Sequence, residues 1–382
     1  MRLLTAGESH GLRVLAVLDG VPAGLALGPA EIDRDLRRRQ LGYGRGARQR
    51  IERDHVRIVG GVRQGRTTGG PLALEIDNRD APNWERVMSV EPVVDPPPPV
   101  TRLRPGHADL AGALKFGHRD VRDVIERASA RETAARVAAG AVAKAVLGLA
   151  GTRVQSEVVA IGEVSSDPTW DEDAVETSEV RCGRPDRSAA MVAAIAAARE
   201  AGDTLGGIVA LRASGVLPGL GSYAEWDRRL DGRIAQALAS IQSAKGVEIG
   251  DAFAAARERG SAVHDPIVLR EGGFARLSDR AGGLEGGVTN GEDVLCRVAF
   301  KPISTLMKPL ASADLATGEA APAHVERSDV CVVPAAGVVA EAMLALVLAD
   351  ALLEKFGCDD VETLVASVDR YRARLRPLGL RG

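Results

Sequence analysis

Hydrophobic positions along the chain fall into two kinds of segment, short runs of branched residues and longer alanine-rich stretches. The short runs are rich in Val, Ile and Leu, a composition typical of β-strands. They predict strands at 12–21, 56–62, 71–77, 153–164, 205–216 and 293–300. The alanine-rich stretches carry apolar residues at helical spacing. They predict helices over 29–40, which opens with Pro29, and over about 119–149, 187–201, 224–241, 249–259 and 335–356.

The order of the predicted elements indicates the fold class. A doubly wound parallel sheet needs strands and helices in regular alternation, and this chain does not alternate in that way. We therefore predict an α+β fold with antiparallel sheets, formed as a single domain by residues 1–382. The run DPPPPV at 95–100 is interpreted as a stiff connector within a surface loop. The basic tail, about 371–382, is expected to be poorly ordered.

Several features favour a cytoplasmic protein. The most apolar segment, 330–357, is interrupted by Glu341 and Asp350, so we interpret it as a buried core helix and not as a membrane span. The N-terminal residues MRLLTAGESHG lack the apolar core of a signal peptide. The cysteines are widely spaced and suggest neither a zinc site nor a disulfide framework. They are Cys182, Cys296, Cys331 and Cys358.

Charge is distributed unevenly along the chain. There are 49 Lys and Arg against 52 Asp and Glu, and yet the segment Arg37 to Arg50 holds six arginines and no acidic residue. A local excess of arginine in an acidic protein points to an anionic ligand, because the guanidinium fork pairs with carboxylate and phosphate oxygens. A nucleic acid is the alternative ligand. The acidic balance and the single aromatic residue of the segment, Tyr43, argue against it.

Two histidines lie in glycine-containing turns. His10 stands in GESHG, which formally matches the nucleophile elbow of hydrolases, but the elbow needs a strand before the serine and a helix after it. A strand is predicted after this serine, so a serine hydrolase is improbable. His10 is instead a candidate for proton transfer, with a surface turn histidine as the alternative. His107 in RPGHAD is either catalytic or turn-forming.

Other motifs suit a phosphate or a flat ring. Lys301, Ser304 and Thr305 combine a cation with two hydroxyls, and the glycines of RAGGLEGGVTNG, 280–291, permit close backbone approach. A mobile loop is the alternative for 280–291, and a solvated charged stripe is the alternative for the helix over 119–149. Arg127 and Arg131 are predicted on one face of the helix over 119–149, with Ser129 nearby. Asp329 precedes a buried helix, where an N-cap is the alternative role.

These motifs occur together in an order that resembles the chorismate synthase family. The resemblance covers about Leu4 to Gly357 and is carried by GESHG, RRRQLGYGRGARQRIE, RPGHAD, ERASARETAARVAAGA, GDTLGG, KGVEIGDAF, AGGLEGGVTNG, KPIST and RSDVCVVPAAGVVAEAM. It implies a reduced-FMN-dependent lyase that converts 5-enolpyruvylshikimate 3-phosphate to chorismate and phosphate, the last common step of aromatic biosynthesis. It also implies a β-α-β sandwich, with helices between antiparallel sheets, that assembles as a homotetramer.

The resemblance also implies roles for single residues. His10 would lie at the substrate phosphate, His107 near the reduced flavin, and Asp329 near flavin N5, where it assists loss of the ring hydrogen. The implied substrate-binding residues are Ser9, Arg39, Arg45, Arg104, Ala130, Arg131 and Arg327. The implied flavin-binding residues are Arg127, Ala128, Ser129, Gln242, Ser243, Gly286, Lys301, Pro302, Ile303, Ser304, Thr305 and Arg327. We expect bound phosphate to favour the protonated form of His10.

The source of reducing power is a further expectation. The chain resembles the monofunctional type, so an external flavin reductase would supply FMNH2, and NADPH would take part only indirectly. In the family the pair matching Arg39 and Arg45 is often assigned to NADP, but the charge argument favours the substrate. Ser243 stands where the family usually carries Ala. An ordinary flavin oxidoreductase is the alternative enzyme class, and no metal, membrane or nucleic-acid partner is expected.

Overall fold

The computed structural model describes residues 1–46, 51–270, 273–326, 328–357 and 359–379. Its strands are β1 (Arg2–Ala6), β2 (Arg13–Asp19), β3 (Val56–Gly60), β4 (Val62–Arg63), β5 (Arg66–Thr67), β6 (Leu72–Asp77), β7 (Arg153–Ile161), β8 (Val164–Ser165), β9 (Gly207–Ser214), β10 (Ala244–Ile249), β11 (Ile267–Arg270), β12 (Gly273–Arg276), β13 (Leu284–Glu285), β14 (Val288–Thr289), β15 (Val294–Phe300), β16 (Ala311–Ala313) and β17 (Ala320–Pro322).

Its α-helices are α1 (Pro29–Gln40), α2 (Asp109–Phe116), α3 (Arg122–Ala128), α4 (Thr133–Gly148), α5 (Glu172–Thr177), α6 (Pro185–Glu200), α7 (Leu230–Ala239), α8 (Ala252–Ala255), α9 (Gly260–Val263), α10 (Val333–Phe356) and α11 (Val361–Leu375). Short 3₁₀ turns cover Ala81–Trp84, Ala130–Glu132, Trp226–Arg228 and Arg376–Leu378.

Two antiparallel sheets enclose a layer of helices. The first sheet has the order β1-β2-β6-β3 and the second the order β10-β15-β9-β7-β8. On β2 the side chains of Val14, Ala16 and Leu18 are buried and alternate with outward-facing residues, as expected for a sheet with one face on the core. Helix α4 packs on β2 and β6, while α10 packs on β7 and β9. The predicted β-α-β sandwich, and with it the α+β class, is confirmed.

The central helix pair is closely packed. Gly140 of α4 lies against Ala342 of α10, and a Cβ at position 140 would be 2.2 Å from the Ala342 Cβ. Only glycine permits this approach, because such a contact is far shorter than van der Waals distance. Helix α10 is long and apolar enough to span a membrane by length and composition, but 83% of its most apolar window is buried inside the fold. The prediction of a buried core helix is confirmed.

A second, smaller core supports the loops that carry the candidate histidines. It contains Leu103, Ala113, Val121, Val124 and Ile125 and so joins α2 to α3. At the closest point a Cβ on Gly112 would be 2.5 Å from a Val124 methyl carbon. The ends of α2 and α3 are therefore fixed relative to each other.

Two predicted elements need correction. The helix predicted over 119–149 is broken at Ser129, which is extended and is followed by the 3₁₀ turn, so Arg127 and Arg131 do not share a helical face. The helix predicted over 249–259 is reduced to α8. In the described part of the tail, α11 is followed by a 3₁₀ turn, and Tyr371 of α11 packs edge-on against Phe356; poor order of the tail stays a prediction. Single-domain organisation stays a prediction.

Candidate active site

His10 is held on two sides by the segments around it. Its Nδ1 lies 2.9 Å from Oε1 and 3.1 Å from Oε2 of Glu126, and its backbone N–H donates to the same carboxylate at 2.7 Å. The imidazole stacks on Trp84, with ring centroids 3.9 Å apart. Ser9 donates its backbone N–H to the carbonyl of Glu126. These hydrogen bonds therefore hold the GESHG turn against α3.

A buried group of guanidiniums lies next to this turn. We call Arg39, Arg131 and Asp54 the Asp54 cluster. Arg131 donates to Asp54 at 2.6 Å and Arg39 donates to the same carboxylate at 3.3 Å. Arg131 also binds Asn78, whose amide donates to the carbonyl of Gly11. The cluster is thus tied directly to the His10 turn.

Arg39 in the Asp54 cluster is weakly compensated. Among the described residues its carboxylate partner is Asp54 at 3.3 Å, while Glu52 pairs with Arg131 at 3.9 Å. Arg39 is 4% exposed and also donates to the hydroxyl of Thr133 and to the carbonyl of Ala130. Burial, together with the charges of Arg131 and Arg45, outweighs Asp54 and lowers the pKa of Arg39 to about 10. Arg39 remains protonated at neutral pH, in a position where an added anion would stabilise it.

Arg45 and Asp329 meet at the edge of this group. Arg45 pairs with Asp329 at 2.9 Å, and the backbone N–H of Gly46 donates to the other oxygen of that carboxylate. The alternative role of Asp329 as a helix N-cap is wrong, because α10 begins at Val333 with Val332 at the cap position. Its carboxylate instead holds Arg45 and the backbone of Gly46.

Arg104 and His107 share a second buried carboxylate. Arg104 donates to both oxygens of Asp109, at 2.9 and 3.1 Å, and His107 binds Asp109 through Nδ1. Arg104 also donates to Thr305 at 3.3 Å. Burial alone would raise the pKa of Asp109, but the hydrogen bonds and charges of His107 and Arg104 outweigh burial and hold it well below the ordinary value.

Glu326 connects the two histidine groups. It pairs with Arg122 at 3.0 Å and lies 3.7 Å from Arg104, while Arg122 also reaches Glu126 at 3.2 Å. Burial raises the pKa of Glu326, but His324, Arg122 and Arg104 together lower it to about 2. A continuous chain of charged groups therefore runs from His10 to His107.

Most of the residues expected at the flavin form one further surface. Lys301 donates its backbone N–H to the carbonyl of Ser243 and its Nζ to Ser304 at 3.0 Å. Gly106 of the RPGH turn lies against Ser304 and the Lys301 ammonium. Gln242 donates to Glu132 at 3.1 Å. Pro302 is exposed, and the carbonyl of Ile303 accepts from Thr204.

Arg127 joins this surface from the other side. It is exposed and donates to the carbonyls of Thr5 and Gly7 and to the Thr5 hydroxyl, which in turn donates to Glu132. Ala128 ends α3, and the hydroxyl of Ser129 binds that of Ser9 at 3.1 Å.

One predicted residue is not brought into the network, and one lies outside the described part of the chain. Gly286 forms the turn between β13 and β14 next to Tyr223. Arg327 lies outside the described residues.

Sequence reasoning missed several members of the site. Trp84, Asp109, Arg122 and Glu326 received no role, and Glu126 was considered only as a neutralising surface charge. A signal existed for Asp109, which stands two residues after His107 in RPGHAD. The partners of His10 are 74 or more residues away along the chain, counting from position 10 to position 84, and only the fold brings them together.

Two cavities are lined by described residues. The first has a volume of about 480 Å³ and is lined by charged side chains that include Arg38, Lys144, Arg181 and Glu341. The second, about 440 Å³, reaches Tyr43 and Arg45. In the part of the chain that the structure describes, no three His, Cys, Asp or Glu side chains are grouped as a metal ion would require.

Comparison with known proteins gives concordant results. Residues 1–353 match the family model of chorismate synthase. The chorismate synthase of Rubrobacter xylanophilus is 57% identical over 97% of this chain and 96% of that protein. The chorismate synthase of Symbiobacterium thermophilum is 54% identical over 97% of this chain and 98% of that protein. A crystal structure of chorismate synthase superposes with a TM-score of 0.78 at 42% identity, covering 98% of each chain.

Proposed function

Because the chain belongs to the chorismate synthase family, we propose that the network joining His10, the Asp54 cluster, Arg45 and Asp329 is where the reaction of that family takes place. The reaction is a 1,4-elimination that converts 5-enolpyruvylshikimate 3-phosphate to chorismate and phosphate in aromatic amino acid biosynthesis. It breaks one C–O and one C–H bond and forms one C=C bond. The ring loses a proton and the departing phosphate gains one.

The weak compensation of the buried Arg39 guanidinium is the observation that carries this assignment. Arg39 and Arg131 share the carboxylate of Asp54, and the pKa of Arg39 is lowered to about 10 by burial and by its cationic neighbours. The substrate has two carboxylates and a phosphate, about four negative charges in all. Its anionic groups would give Arg39 a closer negative partner than Asp54. We assign Arg39 and Arg45 to the substrate in preference to NADP for this reason.

The residues at the flavin surface fit FMN. The buried Oε1 of Gln242 has no hydrogen-bond partner within the described residues, so it could accept from a ring N–H. Lys301, Ser304 and Arg127 supply a cation, a hydroxyl and a guanidinium suited to the flavin phosphate. Ser243 has a φ of +69°, a strained backbone of the kind that occurs at ligand sites.

Reduced FMN, when bound, supplies the electron-rich ring that the elimination requires. The chain's own residues would then bind, orient and move protons. Arg39, Arg131, Arg104 and Arg45 orient the substrate anions, and His10 gives a proton to the departing phosphate. Asp329, which is fixed by Arg45 and the N–H of Gly46, assists loss of the ring hydrogen, and its carboxylate would accept the proton that the ring loses.

We further propose a cytoplasmic homotetramer of the monofunctional type that receives FMNH2 from an external flavin reductase, with NADPH as an indirect source of electrons. The outer face of the first sheet supports association. Leu4 and Val17 lie opposite each other on β1 and β2 and are 57% and 41% exposed. Such a pair is commonly covered in an assembly. Light scattering on the purified chain would test the tetramer.

An anaerobic assay tests the proposed activity. The chain is incubated with dithionite-reduced FMN and 5-enolpyruvylshikimate 3-phosphate, and phosphate and chorismate are followed together. We expect equal amounts of both products and no net oxidation of the flavin. Stoichiometric flavin oxidation would instead indicate an ordinary flavin oxidoreductase.

A further inference from the structure

Glu126 contacts His10 through both of its carboxylate oxygens, unlike a solvated surface charge. Its side chain is buried, and its two oxygens accept from both the imidazole Nδ1 and the backbone N–H of the same histidine. We propose that Glu126 is a positioning residue for His10, which fixes a hydrogen on Nδ1 and leaves Nε2 as the nitrogen that delivers the proton. The inference rests on the proposed function only in the acid role that it gives to His10.

The hydrogen bond determines which nitrogen titrates. An ionised carboxylate only accepts hydrogen bonds, so a contact of 2.9 Å to Nδ1 requires that this nitrogen carry a hydrogen. Gain and loss of a proton then occur at Nε2. The tautomer is thus set by the partner of the other nitrogen, as in other histidines that pair with a carboxylate.

Neighbouring groups keep Glu126 ionised. Burial would raise its pKa, but the hydrogen bonds and charge of His10 and the hydrogen bond of Arg122 outweigh burial and lower it. Among the described residues, several charged groups surround the pair of His10 and Glu126. Arg122 on α3 pairs with Glu126, and Glu326 lies beyond Arg122. Glu8 stands in the same turn as His10, and Asp80 binds the indole of Trp84.

The ring plane is fixed as well. Trp84 stacks on the imidazole at an interplanar angle of 24°, and its Nε1–H donates to Asp80 at 3.1 Å. Arg122, which pairs with Glu126, lies 5.2 Å from the centroid of the same indole. Stacking prevents rotation of the imidazole out of plane while Glu126 holds one edge, so Nε2 has a defined direction.

The substitution Glu126→Gln tests the inference because it preserves shape and removes the charge. An amide has only one acceptor oxygen. If that oxygen accepts the backbone N–H of His10, the NH₂ group faces Nδ1 and favours the tautomer with its hydrogen on Nε2. We expect turnover to fall by about 10²-fold, near the lower end for loss of a general acid, with FMN affinity unchanged. Glu126→Asp, which restores the charge at a shorter length, should recover part of the turnover.

Nitrogen NMR of histidine-labelled protein supplies a readout that a merely structural role would not change. In the wild type we expect the neutral His10 to carry its hydrogen on Nδ1. In Glu126→Gln we expect it on Nε2. The measurement needs neither substrate nor flavin, so it remains valid even if the wild type forms no chorismate. Absence of chorismate in the wild-type assay would overturn the proposed function, whereas the tautomer assignment would still be decided by NMR.

Glu176→Gln is the matched control. Glu176 is also a carboxylate in an ion-pair network, with Arg38 and Arg181, but it lies away from His10. We expect this variant to leave turnover and the His10 signals unchanged. Wild-type turnover in Glu126→Gln, or a hydrogen on Nε2 in the wild type, would overturn the inference. Folding of each variant is checked by circular dichroism. If Glu126→Gln does not fold, the inference is tested by the turnover of Glu126→Asp and by the tautomer of His10 in the wild type.

Discussion

Arg38 and Arg39 are neighbours on α1, but their guanidiniums lie in two different charged regions. Arg39 belongs to the Asp54 cluster. Arg38 points to the opposite side, into a group that we call the Glu341 cluster: Asp35, Arg38, Lys144, Glu176, Arg181 and Glu341. The two regions are built from similar groups, and they differ in how closely the arginine is paired: Arg38 contacts three carboxylates within 3.0 Å, whereas Arg39 contacts Asp54 at 3.3 Å.

The charges of the Glu341 cluster are closely paired. Three cations face three carboxylates, and Glu341 on α10 accepts from Arg38 at 2.8 and 2.9 Å, from Lys144 at 2.6 Å and from the hydroxyl of Ser156 at 2.6 Å. Burial disfavours the charge on Arg38, but Glu341, Glu176 and Asp35 outweigh burial, and the pKa of Arg38 lies above its ordinary value.

Adjacent arginines thus have pKa values displaced in opposite directions. A region in which each charge has an internal partner is complete as it stands and contributes to the fold. A region in which an arginine has no close carboxylate is completed by an anion from outside. The closeness with which each cation is paired therefore distinguishes a structural cluster from a binding site more clearly than arginine content does, since Arg37 to Arg39 are identical in sequence.

The largest effect is expected at His10. Replacing a general acid typically costs about 10²- to 10⁴-fold in rate. We expect His10→Ala to lower turnover by that factor in the anaerobic assay, while FMN titration shows nearly wild-type binding. Unchanged turnover would refute the acid assignment and would leave the Asp54 cluster as a binding site without an identified proton donor.

In the Glu341 cluster the loss should appear in stability. Removal of one partner from a buried ion pair commonly costs about 3–5 kcal/mol, because the remaining charges lose their compensation. We expect Glu341→Ala to lower the free energy of unfolding, measured in urea, by about that amount. Turnover of the folded fraction at low temperature should stay close to wild type. A stable but inactive variant would show that this cluster also serves the site.

A conservative exchange at the two neighbours sharpens the comparison. Lysine keeps the charge but loses the planar fork. We expect Arg39→Lys to lower kcat/KM by about 10- to 100-fold, which corresponds to a charge-assisted hydrogen bond of about 1.5–3 kcal/mol. Arg38→Lys should instead lower the unfolding midpoint and leave kcat/KM nearly unchanged. Equal effects of the two variants on both measurements would contradict the division into two regions.

Hydrophobic patterning predicted much of the framework. Helix α1 runs over the predicted residues 29–40, and each predicted strand has a counterpart in one of the two sheets. Strands β1 and β10 were missed because their partly exposed residues lack a strong apolar signal. The break at Ser129 was missed because alanine-rich composition continues through it, although Ser129 caps the next turn by accepting from the N–H of Arg131.

The site was predicted from motifs only as a set of residue types. The motifs named His10, Arg39, Arg131 and Asp329, and the structure brings these into one network. The anchoring carboxylates were not predicted, because an acidic residue in a helix is normally a solvated charge. Burial of Glu126 depends on the packing of α3 against the GESHG turn, which is a tertiary property.

Acid titration should show the smallest effect. The pKa of Glu326 is lowered to about 2, because His324, Arg122 and Arg104 outweigh burial, whereas its ordinary value is 4.5. A carboxylate with a lowered pKa in the folded state contributes stability that is complete above pH 4.5 and is lost as the pH falls toward 2.

We expect Glu326→Gln to be less stable than wild type by about 1–2 kcal/mol at pH 6, with a difference that shrinks steadily toward pH 3. Urea unfolding at several pH values measures this difference. Glu341→Gln should reduce the dependence of the unfolding free energy on acidic pH more strongly. Glu341 is fully buried, its pKa is well below normal and its carboxylate is surrounded by three cations. A difference for Glu326→Gln that is independent of pH would show that Glu326 contributes through hydrogen-bond geometry and not through its charge.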